Sequence, residues 1–157
     1  MLQKACIQTP LGFATLTGDN EGILELCLHE NGTVTPNIPT ELQQAALQLA
    51  EYFNGARTAF DLKLNPKGTA FQQKVWTELQ KIPFGQTISY LELAKKLGDP
   101  KVIRAAASAN GKNPLWIVVP CHRVIGSNGS LTGYSGGLWR KKWLLEHENP
   151  SQQQVLF

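Results

Sequence analysis

Cysteine and histidine are scarce in this 157-residue chain, three of each, at Cys6, Cys27, Cys121 and His29, His122, His147. An odd, scattered cysteine count speaks against a disulfide framework and suits a reducing compartment. Structural zinc is likewise left without two ligand pairs at the usual short spacings. Cys27 and His29 can share one strand face with Cys6 on a neighbouring strand, but a fourth ligand is lacking, so no metal is expected. Long apolar runs are missing too. No stretch approaches the roughly 20 residues that span a bilayer, and the N-terminus has no basic, apolar, small-residue series of a signal peptide. The expectation is a cytoplasmic protein that does not engage a membrane. What is present is core material: 42% of the residues are hydrophobic, enough for one ordinary domain or two small ones.

Acidic residues are unevenly short. Residues 1–64 hold three Lys/Arg against seven Asp/Glu, a net charge of −4, whereas residues 65–157 hold twelve Lys/Arg against five Asp/Glu, a net charge of +7. A basic half beside an acidic one points to a polyanion partner for the second, most simply nucleic acid, although solvated lysines also explain such an imbalance.

The order of elements agrees with two parts. Lys4–Thr9, Phe13–Thr17 and Ile23–Leu28 read as a β-meander with turns at Pro10-Leu11-Gly12 and Gly18 to Gly22. Thr40 and Gln43 predict a capping box for a helix carrying Leu42, Ala46, Leu49 and Phe53, and Phe60–Leu64 alternates like an edge strand. Asn65-Pro66-Lys67-Gly68 is the natural linker. Beyond it, Thr69 with Gln72 and Ser89 with Glu92 predict two further capping boxes, and Asp99 followed by Pro100 predicts the start of a third helix running to about Asn110. The short second and third helices meet across Gly98-Asp99 as in a helix-turn-helix. On the third helix Arg104 is the one long side chain in the middle of a surface of small ones, including Ala105 and Ser108. Such a surface lets a backbone approach a phosphate chain or a narrow groove closely; it also fits an alanine-rich helix packed on a core. Leu115–Val119 reads as a buried run that delivers Pro120-Cys121 to the surface. Ile125–Leu131 reads as a hairpin around Asn128-Gly129, like the wing after a helix-turn-helix, and a last helix spans about Leu138 to Glu148. Glu146 and Glu148 fall in its final turn, where the helix dipole favours cations, so one acid is expected to have another partner.

The densest chemistry is Pro120-Cys121-His122-Arg123-Val124. A thiol with an ordinary pKa of about 8.5 attacks as its thiolate, so a nucleophilic Cys121 needs a base, a cation or a helix N-terminus beside it. His122 serves as that base only if the chain turns here or one water bridges the two, because neighbouring side chains point apart in regular structure. The plainer reading is a buried structural cysteine beside a surface histidine.

These residues resemble the O6-alkylguanine-DNA alkyltransferase family. The likeness is most specific through Asn113-Pro114, Pro120 to Gly126, Gly133-Tyr134-Ser135-Gly136-Gly137-Leu138 and Leu144 to Glu148. It extends to Phe71–Trp76, Pro83-Phe84-Gly85 and Ser89-Tyr90, and more loosely to the N-terminal strands and helix. It implies an α/β, ribonuclease-H-like domain over residues 1–65, a mostly α, winged-helix-like domain with a helix-turn-helix over 66–150, and a tail over 151–157. It also implies direct repair of DNA: an alkyl group passes from O6 of guanine, and from O4-alkylthymine, to Cys121 once and irreversibly, after the base is flipped out of the duplex, with no cofactor. In the family pattern His122 is the base through water, Glu148 orients it, Asn113 is a hinge, and Tyr90 helps the guanine leave. Arg104 fills the stack, and Lys101, Ala105, Ser108 and Arg123 join it on the minor groove and phosphates of double-stranded DNA. Trp116, Val124, Tyr134, Ser135 and Gly136 would line the base pocket. A monomer without an obligate protein partner is implied.

Trp116 departs from the small residue or proline expected at its place. An indole facing the pocket would admit methyl and resist benzyl, whereas one turned into the core would set nothing. Three other readings stand beside alkyl transfer: a relative that binds and flags alkylated guanine, which Cys121 opposes; a winged-helix regulator, which leaves the Pro-Cys-His-Arg series unexplained; and a thiol hydrolase.

Overall fold

The computed structural model describes residues 1–129, 131 and 133–150. The chain divides into two compact units, residues 1–67 with 114–116, and residues 68–113 with the chain from Ile117 onward. Residues 114–116, placed in the second domain by the sequence reading, thus pack with the first unit. The expected tail, 151–157, lies outside the described residues. Among the described residues no helix is long and apolar enough to cross a membrane.

In the first unit, β1 (Gln3–Thr9), β2 (Gly12–Asp19) and β3 (Gly22–His29) form an antiparallel meander in the order β1-β2-β3. Period-two alternation sends Ala5, Ala14, Leu16, Leu26 and Leu28 to a buried face. The register sets Cys6, Thr15 and Cys27 in one row, so a whole strand separates the two cysteines. The buried face receives α1 (Thr40–Phe53) through Leu42, Ala45 and Leu49. The capping box expected at Thr40 does not form. Pro39 holds the extended cap position (φ −53°, ψ 145°), so Thr40 is already inside the helix, its hydroxyl caps nothing, and Gln43 turns to the carbonyl of Ile38.

Of the expected edge strand Phe60–Leu64, only Leu64 pairs, in an isolated parallel bridge to Ile23. The rest is pinned by one buried amide: Gln48 donates to Asp61 O at 3.0 Å and accepts from Asp61 N at 2.9 Å, satisfying a backbone that no strand satisfies. On β3 itself, Leu26 pairs with the segment at Leu115, taking Pro114 O at 2.8 Å and giving its carbonyl to Trp116 N at 3.1 Å.

In the second unit, α2 (Ala70–Leu79) and α3 (Tyr90–Lys96) begin with the two expected capping boxes, both reciprocal. Trp76 of α2 donates its indole N–H to Ala109 O at 2.9 Å, joining α2 to α4 (Ile103–Gly111), on which α3 also packs. Gly68 is needed beside it, since a Cβ there would collide with the Trp76 ring. Asp99 caps as expected, accepting from Lys101 N at 2.9 Å, but the first turn is 3-10 and the α-helix starts only at Ile103.

Leu115–Val119 is buried except at the half-buried Trp116, yet is not a strand. Ile117 stands at φ 73°, a strained conformation for a β-branched residue, and breaks any extended run. The expected wing hairpin is replaced, among the described residues, by β5 (Val124–Ile125) paired in parallel with β4 (Ile88–Ser89) and a turn closed by Gly129 N to Gly126 O. Helix α5 spans Leu138–Glu148.

Because Thr69 and Ser89 make cap hydrogen bonds while Thr40 makes none, Thr69→Ala and Ser89→Ala should each cost about 1 kcal/mol of stability. Thr40→Ala should stay within about 0.5 kcal/mol. Urea unfolding of the three variants checks the contrast, and equal losses would contradict it.

Candidate active site

Pro120 ends the buried segment and a single 3-10 turn, Cys121–Arg123, follows it, closed by Arg123 N to Pro120 O at 3.0 Å. Three consecutive side chains are thereby splayed to different neighbours. Cys121 faces a cavity, while His122 and Arg123 turn to the last residue of α5. His122 Nε2 lies 2.7 Å from Glu148 Oε2. Arg123 grips the same carboxylate with both arms, Nε to Oε1 at 2.8 Å and Nη2 to Oε2 at 3.0 Å, and gives Nη1 to Ile82 O at 2.6 Å. His122 is 0% exposed, Arg123 6% and Glu148 6%. The C-terminal acid that the helix dipole disfavours thus has its partners in this clamp. Arg123, expected on DNA, is instead internal, its donors spent on Glu148 and Ile82.

The charges of this cluster follow from burial and pairing. Burial alone would push the Glu148 carboxyl up, but His122 and Arg123 outweigh it and hold the carboxyl well below the usual carboxylate range. Burial depresses His122, and the pull of Glu148 restores only part of the loss, so the imidazole is neutral near pH 7. The standing counter-charge of Glu148 is therefore the Arg123 guanidinium. An ionised Glu148 fixes the proton of neutral His122 on Nε2, which leaves Nδ1 with its lone pair, buried and with no hydrogen-bond partner in the structure.

The thiol of Cys121 is 5% exposed rather than delivered to the surface. Burial pushes it up to about 11, although the Asn113 side chain and the charge of Lys141 pull the other way. Asn113, fixed by its Nδ2 bond to Val119 O at 2.8 Å, tethers the thiol to the end of α4. Cys121 opens on a cavity of about 620 Å³ whose wall includes Tyr90 at the start of α3, Ile103, Arg104, Ala107 and Asn110 of α4, and Gly133, Tyr134 and Ser135. Arg104 is exposed at its rim, with Ala105 and Ser108 exposed on the same helix and Lys101 exposed on the 3-10 turn before it.

Tyr90, Arg104, Cys121, Tyr134 and Ser135 are therefore brought to one cavity. Val124 and Gly136 are not among its lining: Val124 is fully buried in β5, and the Gly136 carbonyl accepts from Arg140 Nη1 at 2.9 Å. Nor does Trp116 line it; that residue stands with the first unit.

One wall residue and one residue behind the wall escaped the sequence reading. Asn110 donates weakly to Cys121 O at 3.4 Å and keeps a buried Oδ1 without a partner. Lys141 is 0% exposed and donates to Val124 O at 2.7 Å. Its signal was present: Lys141, Leu144, Leu145 and Glu148 repeat at the helical i, i+3, i+4, i+7 spacing, one stripe of α5 that turns inward.

Glu148→Gln should cost about 3–5 kcal/mol, because it strands the buried Arg123 guanidinium. Both Glu148 and His122 titrate lower in the folded chain, so the unfolded chain binds more protons and stability rises with pH. In the native protein stability should fall as pH drops below about 6.5, the unfolded histidine value, and again below about 4.3, the unfolded glutamate value. Thermal melts against pH should show the lower limb vanish in Glu148→Gln; its survival would mean that another carboxylate carries it.

Comparison with known proteins assigns the two halves alike. Residues 2–66 match the description "6-O-methylguanine DNA methyltransferase, ribonuclease-like domain", and residues 70–150 match "6-O-methylguanine DNA methyltransferase, DNA binding domain". The chain is 44% identical over 151 residues to the methylated-DNA-protein-cysteine methyltransferase of Methanosarcina acetivorans, covering 92% of this chain and 96% of that one. The crystal structure of the Mycobacterium tuberculosis O6-methylguanine methyltransferase is similar at a TM-score of 0.85 and 44% identity, covering 96% of this chain and 94% of that one. A structure of the Mycobacterium tuberculosis protein in complex with DNA is similar at a TM-score of 0.83 and 46% identity, covering 92% and 91%. Both halves of the chain thus fall under one heading, and the chain belongs to the 6-O-methylguanine DNA methyltransferase family.

Proposed function

We propose that Cys121 is the acceptor through which this chain carries out the alkyl-transfer DNA repair of its family. The observation that carries the reading is the arrangement around the sulfur: a thiol on the cavity wall, followed by an imidazole whose Nδ1 lone pair is buried and uncommitted while its Nε2 is fixed by Glu148. The thiol proton passes through one water to His122 Nδ1, and the imidazolium so formed is stabilised by Glu148. The thiolate attacks the alkyl carbon, the S–C bond forms, and the C–O6 bond breaks with its electron pair going to the guanine, whose leaving is assisted by the phenol of Tyr90. The product is a thioether with no group at hand to cleave it, so each molecule acts once.

An alkyl carbon inside a duplex cannot meet this sulfur in line, so the nucleotide rotates into the cavity at a cost of a few kcal/mol. Arg104, exposed at the rim amid Ala105, Ala107 and Ser108, fills the vacated stack, and Lys101 contributes a phosphate contact. Tyr134 and Ser135 border the bound base. The same cavity would take O4-alkylthymine. No diffusible cofactor enters this scheme, which a cytoplasmic monomer on double-stranded DNA carries out alone.

Excess methylated duplex should add one methyl per chain, found by mass on the peptide containing Cys121 and absent in Cys121→Ala, which should still bind DNA. Labelling at Cys6 or Cys27, or repeated turnover, would sink the reading. Arg104→Ala should slow repair of duplex far more than transfer from free alkylated base, and lower the salt slope of DNA binding by about one unit or less. Equal slowing of both substrates would show that Arg104 does not act on the stack.

A further inference from the structure

Lys141 is a charge that the scheme above does not use. It sits on the inward stripe of α5, 0% exposed, and its Nζ donates to Val124 O at 2.7 Å and Gly133 O at 3.3 Å. It lies 5.8 Å from the centroid of the Tyr90 ring, within reach of the ring's cation-attracting face. Gly133 and Tyr90 both line the cavity into which Cys121 opens, so the ammonium stands directly behind that wall. Burying an ammonium is costly, and the carbonyls that hold it fix it in one place instead of letting it reach water.

The groups facing Cys121 can be taken element by element. From the turn itself, His122 is neutral near pH 7 and Arg123 is balanced by Glu148 of α5. From α4 and the residues just after it come Asn110 and Asn113, polar and uncharged, and Arg104, which is exposed at the rim where water screens it. From α3 comes the phenol of Tyr90. Lys141, from α5, brings a buried positive charge that acts on the sulfur through protein rather than through water.

Resting on the assignment of Cys121 as acceptor, we propose that Lys141 is a positioning residue for the transfer: its buried ammonium, clamped to the carbonyls of Val124 and Gly133, stabilises the Cys121 thiolate and loses that role once the sulfur is alkylated. Lys141 neither gives nor takes a proton in the step. The thiol proton goes to His122, the S–C bond replaces the C–O6 bond, and the sulfur ends neutral. Burial lowers the Lys141 ammonium to about 8, which leaves it charged at neutral pH, where the transfer runs.

Two measurements test this. Single-turnover transfer from methylated duplex is followed against pH for the native protein and Lys141→Met. The inflection should rise by about one pH unit and the rate at neutral pH fall about tenfold, with DNA affinity unchanged. A lower rate with an unmoved inflection would show that Lys141 only packs. Should Lys141→Met not fold, Lys141→Gln answers instead: it keeps a donor for the carbonyls of Val124 and Gly133 without the charge, so its inflection should rise likewise, and an unmoved inflection overturns the proposal. The mass of the Cys121 peptide separates the two levels. No methyl there sinks the acceptor reading itself, whereas a methyl there with an unmoved inflection sinks only the role of Lys141.

Discussion

Glu148 has both oxygens engaged, one by the Nε of Arg123 and the other by Nη2 of the same guanidinium and by His122 Nε2, and the organisation of the second unit around Cys121 depends on that carboxylate. Removing two charges from water costs several kcal/mol per ion, which only near-complete hydrogen bonding repays. Here the repayment has a geometric consequence. Arg123 also takes the carbonyl of Ile82, so one carboxylate ties the end of α5 to the Cys121 turn and to the segment after α2. Its second consequence is chemical, because a carboxylate held ionised dictates which nitrogen of His122 keeps its lone pair. Structure and reactivity thus share one ion pair, and neither can be altered alone.

What the sequence disclosed, and what it hid, divides along the range of the interactions. The capping boxes at Thr69 and Ser89, the meander and the last helix were legible because each is decided within a few residues. Thr40 failed on the same principle, since Pro39 already occupied the extended cap position. Leu115–Val119 read as a buried run that delivers Cys121 to the surface, because its apolar composition carries no sign of the positive φ at Ile117 or of the burial of Cys121. The parallel pairing of β5 with β4 joins residues more than thirty apart in sequence, beyond the reach of any local signal.

The site shows the same division. The Cys121-His122 pair and the unexplained acid at Glu148 were visible as types and positions, and the family resemblance linked them. Arg123 was misread as a DNA contact because a cation in a basic half looks like part of a phosphate-binding surface; that it is spent on a carboxylate of its own chain is a fact of packing. Lys141 was hidden inside a run of three cations of which Arg140 and Lys141 are buried and Lys142 is exposed. Trp116 marks the opposite error, a large residue next to the motif in sequence that the fold assigns to the other unit's strand β3.

A resting thiol near 11 looks wrong for a nucleophile, yet it suits a sulfur that reacts once. Susceptibility to oxidants and adventitious electrophiles follows thiolate population and exposure, and Cys121 has little of either. A protein that spent its proposed acceptor cysteine on a stray oxidant would be lost to its task, so inertness at rest suits that role. What must be conditional is the thiolate. On the proposed scheme the base Nδ1 and the fixed cation of Lys141 stand ready before DNA binds, and a nucleobase entering the cavity displaces water from in front of the sulfur. Lowering the local dielectric strengthens every charge interaction with the sulfur, at the moment when an alkyl carbon is there to receive it. The proton relay and the buried charges are therefore preorganised for one occupant, and burial of the thiol guards it against the others.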